Sequence, residues 1–198
     1  EAELVKLFSN AWRYINFSVS NEFLMICENL NINFSRLRKI MVDGYERNRD
    51  IPLAGFAAGP CLFKDTVQLS AFLKNKFLLG KAATSINENL PKFLLKRLKE
   101  KYKSKLNHKT IGILGLAFKA EIDDDRDSLS IKLIKILKRN KIKLIISDEY
   151  IKHPEGVKKE KLIKKSDIII IATPHKAYKK IKFPKNKEVI DTWGLIEK

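Results

Sequence analysis

Apolar side chains recur at Leu4, Val5, Phe8, Ala11, Trp12, Ile15, Val19, Phe23 and Ile26. Positions three and four apart share one helix face, so this spacing predicts a well-buried helix, or a bent pair, over residues 2–30. Cys27 continues the pattern and is expected in the core. Ser35 can cap a short helix through Met41, with Gly44 as its stop. A polar stretch from Tyr45 to Asp50 then leads into an extended Ile51-Pro52 step. The apolar run Val67 to Leu73 predicts a helix over 66–76 with Asp65 as N-cap. A second helix is predicted over 79–102, interrupted or kinked at Pro91.

Past the polar, basic boundary at residues 103–109 the periodicity changes. Thr110 to Leu116 reads as an apolar strand, Ser128 to Asn140 as an amphipathic helix and Ile142 to Ser147 as a second strand ending at Asp148. Gly156 to Lys165 reads as a short helix, Asp167 to Ala172 as a nearly all-isoleucine strand and Glu188 to Asp191 as a last strand. Strands that alternate with helices, two of them continuous apolar runs, predict a parallel sheet covered on both faces. The fold class is therefore α/β, with an all-helical domain over 1–104 and a sheet domain over 105–198. Gly112 and Gly115 at the first strand-to-helix turn lack the full three-glycine dinucleotide pattern, so the sheet is not assigned as a cofactor site on that basis.

The chain of 198 residues carries 40 Lys and Arg against 23 Asp and Glu, a net charge of +17. Such a balance raises the possibility of a polyanion partner. The excess is mostly lysine, scattered through the second half, with few interleaved aromatics and no nucleic-acid motif, so a solvated lysine face is the plainer reading and no specific nucleic-acid partner is expected. The two cysteines, Cys27 and Cys61, make no metal-ligand spacing, and no metal site is expected. The chain starts at Glu1 without methionine, a signal-like segment or a long uncharged apolar run. A soluble, cytoplasmic chain with no membrane partner is expected, as a piece of a longer protein.

Candidate chemistry centres on Gly55-Phe56-Ala57-Ala58-Gly59-Pro60-Cys61-Leu62-Phe63-Lys64-Asp65. With the helix starting after it, Cys61 lies just ahead of a helix N-terminus and near the Lys64 ammonium. Both would favour thiolate and make a usable nucleophile. The alternative is that Cys61 is a small buried hydrophobe. Lys6 and Asn10 are four apart and share a face. His108 is expected to be solvated. His175, in Thr173-Pro174-His175 after the isoleucine strand, is placed either to approach a phosphate or act as an acid, or to be idle.

Three of these stretches carry a resemblance. Gly-Phe-x-x-Gly-Pro-Cys-Leu-x-Lys-Asp is similar to the active-site loop of the nucleotide-sugar 6-dehydrogenases, the UDP-glucose and GDP-mannose dehydrogenase family, with Ala58 where members usually have a glycine. Glu-Ala-Glu-Leu-Val-Lys-Leu-x-x-Asn-Ala resembles the start of that family's long central helix. Gly115-Leu-Ala-Phe118-Lys119-Ala-Glu-Ile-Asp123-Asp-Asp-Arg126-Asp127-Ser128 resembles its Gly-x-x-Phe-Lys-x-x-x-x-Asp-x-Arg-x-Ser signature. The resemblance implies a helical central dimerisation domain followed by a Rossmann-like UDP-binding domain, with an NAD-binding domain that would precede Glu1 and without which the chain alone is not expected to transfer hydride. It implies NAD as cofactor, a nucleotide sugar as substrate, a homodimer through the central helices, and oxidation of the sugar C6 alcohol to a carboxylate through a thioester. By the same resemblance Cys61, Lys6, Asn10 and Asp65 are catalytic. Arg47, Phe56, Gly59 and Lys119 bind substrate, with Arg49 a second candidate for the arginine, and Lys64 and Arg126 reach the cofactor. Relatives often have an Asp-x-Arg or Asp-x-Trp after the last strand, where this chain has Asp191-Thr192-Trp193 and no arginine. The competing expectation is a non-catalytic dimeric module that binds nucleotides or RNA.

Overall fold

The computed structural model describes residues 1–57 and 59–196. The chain forms two compact units, Glu1–Leu90 and Pro91–Lys198. In the first, α1 is one unbroken helix, Ala2–Asn29. Its buried side holds Leu7, Ala11, Tyr14, Ser18, Ser20, Asn21, Leu24 and Cys27, so Cys27 lies in the core as expected. The predicted apolar stripe is mostly outside: Leu4, Val5, Phe8, Trp12, Val19, Phe23 and Ile26 are all exposed. The helix has two faces able to bury apolar area, and the described residues cover only the one that also carries serine and asparagine. The face with the stronger hydrophobic signal is left uncovered.

The next helix, α2, spans Phe34–Val42, and its cap is Asn33, whose side chain accepts from the Arg36 amide at 2.9 Å. Ser35, the predicted cap, lies inside the helix, because the extended backbone at Asn33 already turns the chain into the helical path. After a short 3-10 turn at Glu46–Asn48, α3 runs Pro60–Phe72, starting six residues before the predicted start. Pro60 at the first helical position is pre-set for the helix and gives up an amide that would have no partner. Gly59 before it has φ 105° and ψ 157°, a conformation open essentially to glycine alone. Asp65 is therefore not a cap but a residue in the second turn. Finally α4 spans Leu78–Tyr102 as one helix with Pro91 inside it, so the sequence-predicted interruption is absent. Pro91 lacks the amide that would bond the Asn87 carbonyl, and the two compact units meet in sequence at this residue. Tyr14, Leu62 and Ala83 form a buried cluster, with Ile15, Phe17 and Phe63 packed on it.

The second unit is built on four parallel strands, β1 (Thr110–Leu114), β2 (Lys143–Ser147), β3 (Ile168–Ile171) and β4 (Glu188–Asp191), in the order β2-β1-β3-β4. All four residues of β3 are buried, as a parallel strand covered on both faces requires. Helix α5 (Leu129–Arg139) is capped by Ser128, whose oxygen accepts from Ser130 N at 3.2 Å, and α6 (Lys159–Lys165) follows β2. A one-turn helix, α7 (Lys176–Lys179), was not foreseen. Leu114, Leu162, Ile169, Ile171 and Tyr178 form a core cluster. Since β1 neighbours both β2 and β3, the chain passes from one side of β1 to the other, and the connections diverge at the carboxyl ends of β1 and β3. Ligands of such sheets bind at that edge.

Candidate active site

In the helical unit α1 packs on α3. Asn10 on α1 donates from Nδ2 to Asp65 Oδ2 at 2.6 Å, and Lys6, one turn earlier, places Nζ 3.7 Å from the same oxygen. Asp65 is 5% exposed overall, whereas the Lys6 side chain is 66% exposed. A pair with one partner in water contributes little to stability, and the ammonium stays available to a ligand. Among the described residues both contacts fall on Oδ2 of the carboxylate. Cys61 is a free, exposed cysteine in the first turn of α3. It is one turn before Asp65, which puts their Cβ atoms about 5–6 Å apart on one face. The structure thus rejects the reading of Cys61 as a buried hydrophobe, and moves the thiol from ahead of the helix into its first turn. The first intrahelical bond there runs from Phe63 N to Gly59 O at 3.5 Å, so the Cys61 and Leu62 amides precede the helical ladder.

The loop leading to Cys61 is fastened by polar groups that α1 buries. Asn21 Oδ1 accepts from Gly55 N at 2.7 Å and its Nδ2 donates to Asn87 Oδ1 at 2.8 Å, while Asn87 Nδ2 donates to the Tyr14 carbonyl at 3.1 Å. Ser20 Oγ donates to the Pro52 carbonyl at 2.8 Å, and Arg38 Nε to the Ile51 carbonyl at 2.7 Å. Sequence reading missed Asn21 and assigned Asn87 no chemistry. The available signal was the cluster of small polar residues Ser18, Ser20 and Asn21 in the middle of α1. Phe56 and Gly59 are buried within this loop, Ala58 lies outside the described residues, and Lys64 is exposed. Arg47 is exposed on the 3-10 turn; Arg49 beside it pairs with Glu46 and with Asp50.

In the sheet unit, Lys119 and Arg126 lie on the loop between β1 and α5, both exposed. Lys119 Nζ sits 5.9 Å from the Phe118 ring centre, and Arg126 grips Asp124 through Nε and Nη2 at 3.0 and 2.7 Å. That grip holds the Asp124 carboxyl below its usual range. The loop closes on itself through Phe118 N to the Asp124 carbonyl at 3.0 Å. Asp148, at the end of β2, accepts from Leu116 N at 2.5 Å and Ala117 N at 3.4 Å on Oδ2, and from Tyr150 N at 2.7 Å and Ile151 N at 2.9 Å on Oδ1. The amides after β1 that would face a bound diphosphate are thus occupied by the chain's own carboxylate. A Cβ at Gly115, which has φ 96°, would also collide with Thr173. A dinucleotide does not fit this crevice. Lys64 in the helical unit and Arg126 in the sheet unit are both exposed cations. His175, weighed from sequence either as a group approaching a phosphate or acting as an acid or as idle, is fully buried.

A helical unit with a cysteine, a carboxylate, an amide and an ammonium on facing helices, followed by a half-Rossmann parallel sheet, defines the class of the nucleotide-sugar dehydrogenases. Comparison with known proteins agrees. The chain matches the UDP-glucose/GDP-mannose dehydrogenase family in its central domain over residues 1–89 and its UDP binding domain over residues 112–198, and it belongs to that family. It is 32% identical over 206 residues to the UDP-N-acetyl-D-mannosamine dehydrogenase of Pyrococcus horikoshii, covering 99% of this chain and 49% of that protein. The solved structure of the Pyrococcus horikoshii UDP-D-ManNAc dehydrogenase matches with a TM-score of 0.84 at 30% identity, over 98% of this chain and 48% of that one. A UDP-glucose dehydrogenase structure from Pyrobaculum islandicum matches with a TM-score of 0.82 at 25% identity, over 98% and 48%. The chain spans about half the length of the relatives it matches. No helix among the described residues is long and apolar enough to cross a membrane.

Proposed function

We propose that the chain is the sugar-capturing and nucleotide-binding part of a nucleotide-sugar 6-dehydrogenase. The enzyme would oxidise the C6 alcohol of a UDP-sugar, of the UDP-glucose or UDP-N-acetylhexosamine type, to the uronate. The observation that carries this reading is the buried Asp65 carboxylate, bonded to Asn10 at 2.6 Å, one helical turn from the exposed Cys61. NAD, when bound, supplies the hydride acceptor for each of the two oxidations, and Lys64 and Arg126 are the residues of this chain that would hold it.

The first oxidation turns the alcohol into an aldehyde. Cys61 Sγ adds to the aldehyde carbon, and the new oxyanion is met by the Lys6 ammonium and the helix-terminal amides at Cys61 and Leu62. Loss of the second hydride from this thiohemiacetal gives a thioester on Cys61. Water then attacks the thioester carbonyl, the carboxylate leaves, and the thiol is regenerated. Asp65 orients that water and takes its proton through Oδ1, the oxygen not engaged by Asn10 or Lys6 among the described residues, while Asn10 fixes the carboxylate. Lys119 binds the nucleotide, Phe56 and Gly59 shape the loop behind the sugar, and Arg47, rather than Arg49 with its Glu46 and Asp50 partners, is the arginine without an ion pair among the described residues and serves substrate. A cytoplasmic homodimer belongs to the same reading, supported by the uncovered stripe of Leu4, Phe8, Trp12, Val19, Phe23 and Ile26 along α1.

The test uses the complete gene product that carries this chain. NADH formed per sugar is measured with UDP-glucose, UDP-N-acetyl sugars and GDP-mannose, for wild type and Cys61→Ser. Two NADH per sugar from one UDP donor, lost in the variant, is the expected result. No NADH from any donor, together with salt-dependent polyanion binding indifferent to Cys61→Ser, would instead favour a nucleotide- or RNA-binding module.

A further inference from the structure

The loop that carries Lys119 and Arg126 holds two non-glycine residues in the left-handed region, Glu121 at φ 61° and Asp127 at φ 55°. Such residues persist where the surroundings over-determine them. Around Glu121 they do. Its amide donates to His175 Nδ1 at 3.0 Å, its Oε1 accepts from Lys176 N at 2.9 Å, and its Oε2 accepts from the Tyr150 hydroxyl at 3.0 Å. His175 itself is fully buried, with Tyr150 tilted against its ring at 5.0 Å between centres and Tyr178 edge-on at 5.3 Å.

The hydrogen bonds fix the state of the ring. Nδ1 receives an N–H, so it carries no proton; the neutral ring is the Nε2–H tautomer, and that proton points to Asp148 Oδ2 at 3.2 Å. Asp148 in turn holds the amides of Leu116, Tyr150 and Ile151. One imidazole thereby joins the segments that follow β1, β2 and β3 at the carboxyl edge of the sheet.

We propose that His175 is a positioning residue for nucleotide recognition: by accepting the Glu121 amide and donating to Asp148 it holds the loop 116–127, and with it Lys119 and Arg126, in one presented conformation. This rests on the reading that the loop serves the nucleotide. His175 touches no reacting atom and acts through the loop.

The experiment combines amide hydrogen exchange with titration by UDP, on the complete gene product. In His175→Gln the side chain reaches Asp148 but no acceptor remains where Nδ1 was; in His175→Asn the amide oxygen stands near the Nδ1 position. The Gln variant is expected to exchange faster over residues 118–126 with β1 and β3 unchanged, and to bind UDP roughly three- to tenfold more weakly, the worth of one hydrogen bond. The Asn variant is expected to restore slow exchange at Glu121 and most of the affinity. Wild-type loop exchange in the Gln variant, equal loosening of loop and strands, or no rescue by Asn would overturn the proposal. Should the His175 variants not fold, the wild-type Glu121 amide decides: held by the buried Nδ1, it is expected to exchange far more slowly than the exposed loop amides around it, and fast exchange at Glu121 would overturn the latch. Failure of wild type to bind UDP, or undiminished binding by Lys119→Ala, overturns the nucleotide reading instead, and the exchange data still judge the latch.

Discussion

Each unit buries one carboxylate at its candidate site, and the two are provisioned differently. Among the described residues Asp65 in the helical unit meets one amide and one exposed ammonium, both at Oδ2. Asp148 in the sheet unit takes four backbone amides and the His175 ring across both oxygens. Burial alone would raise the Asp148 carboxyl, but the His175 and backbone hydrogen bonds outweigh it and hold the group well below the usual carboxylate range. A carboxylate saturated by its own chain is a fastening. One with acceptor capacity left over, beside an exposed thiol, is equipped to handle a proton.

The sharpest way to break this comparison is to remove each carboxylate in turn. Asp65→Ala is expected to lower the rate of the complete enzyme by about 10²–10⁴-fold, the usual worth of a general base, and to cost no more than about 1 kcal/mol of stability. Steady-state kinetics beside thermal unfolding would separate the two effects. Asp148→Ala should do the reverse, destabilising the sheet unit by about 2–4 kcal/mol through buried amides left without an acceptor. The sign with pH follows from the lowered carboxyl. Its stabilisation is complete above the unfolded value of about 4 and is lost only as pH falls below that toward the folded value. An acid titration of unfolding should therefore show a wild-type loss below about pH 4 that Asp148→Ala lacks. Asn21→Ala is the smallest of the three. Loss of the Gly55 and Asn87 contacts should cost about 1–3 kcal/mol, read as a lowered midpoint, with activity falling only as far as the loop before Cys61 loosens.

The sheet unit was legible in outline because the isoleucine run of β3 and the amphipathic α5 carry their own periodicity, and Ser128 sits where a cap belongs. The family motifs singled out Lys6, Asn10, Cys61 and Asp65 before any distance was known, and the structure brings Lys6 and Asn10 to Asp65, one turn from Cys61. What sequence could not supply were partners far along the chain. Asn21 is 34 residues from Gly55, and His175 is 54 from Glu121 and 27 from Asp148. Pattern reasoning sees local spacing, so a buried asparagine on α1 and a loop histidine looked incidental. The start of α3 was misplaced because Gly59-Pro60 reads equally well as an open loop, and only the backbone at Gly59 shows Pro60 opening the helix. The side of α1 that faces the core was misjudged because a helix with two usable faces gives its strongest apolar signal on the one left uncovered.

The central claim is that Cys61 captures the oxidised sugar carbon while Asp65 serves the hydrolysis that follows. Mass spectrometry of acid-quenched complete enzyme, carrying Asp65→Ala to slow that last step and turning over the UDP-sugar with NAD, tests it directly. The account predicts a peptide containing Cys61 with the mass of the acyl sugar nucleotide, absent when Cys61→Ser is added. An unmodified Cys61 peptide under turnover, with two NADH per sugar still formed by Cys61→Ser, would contradict it.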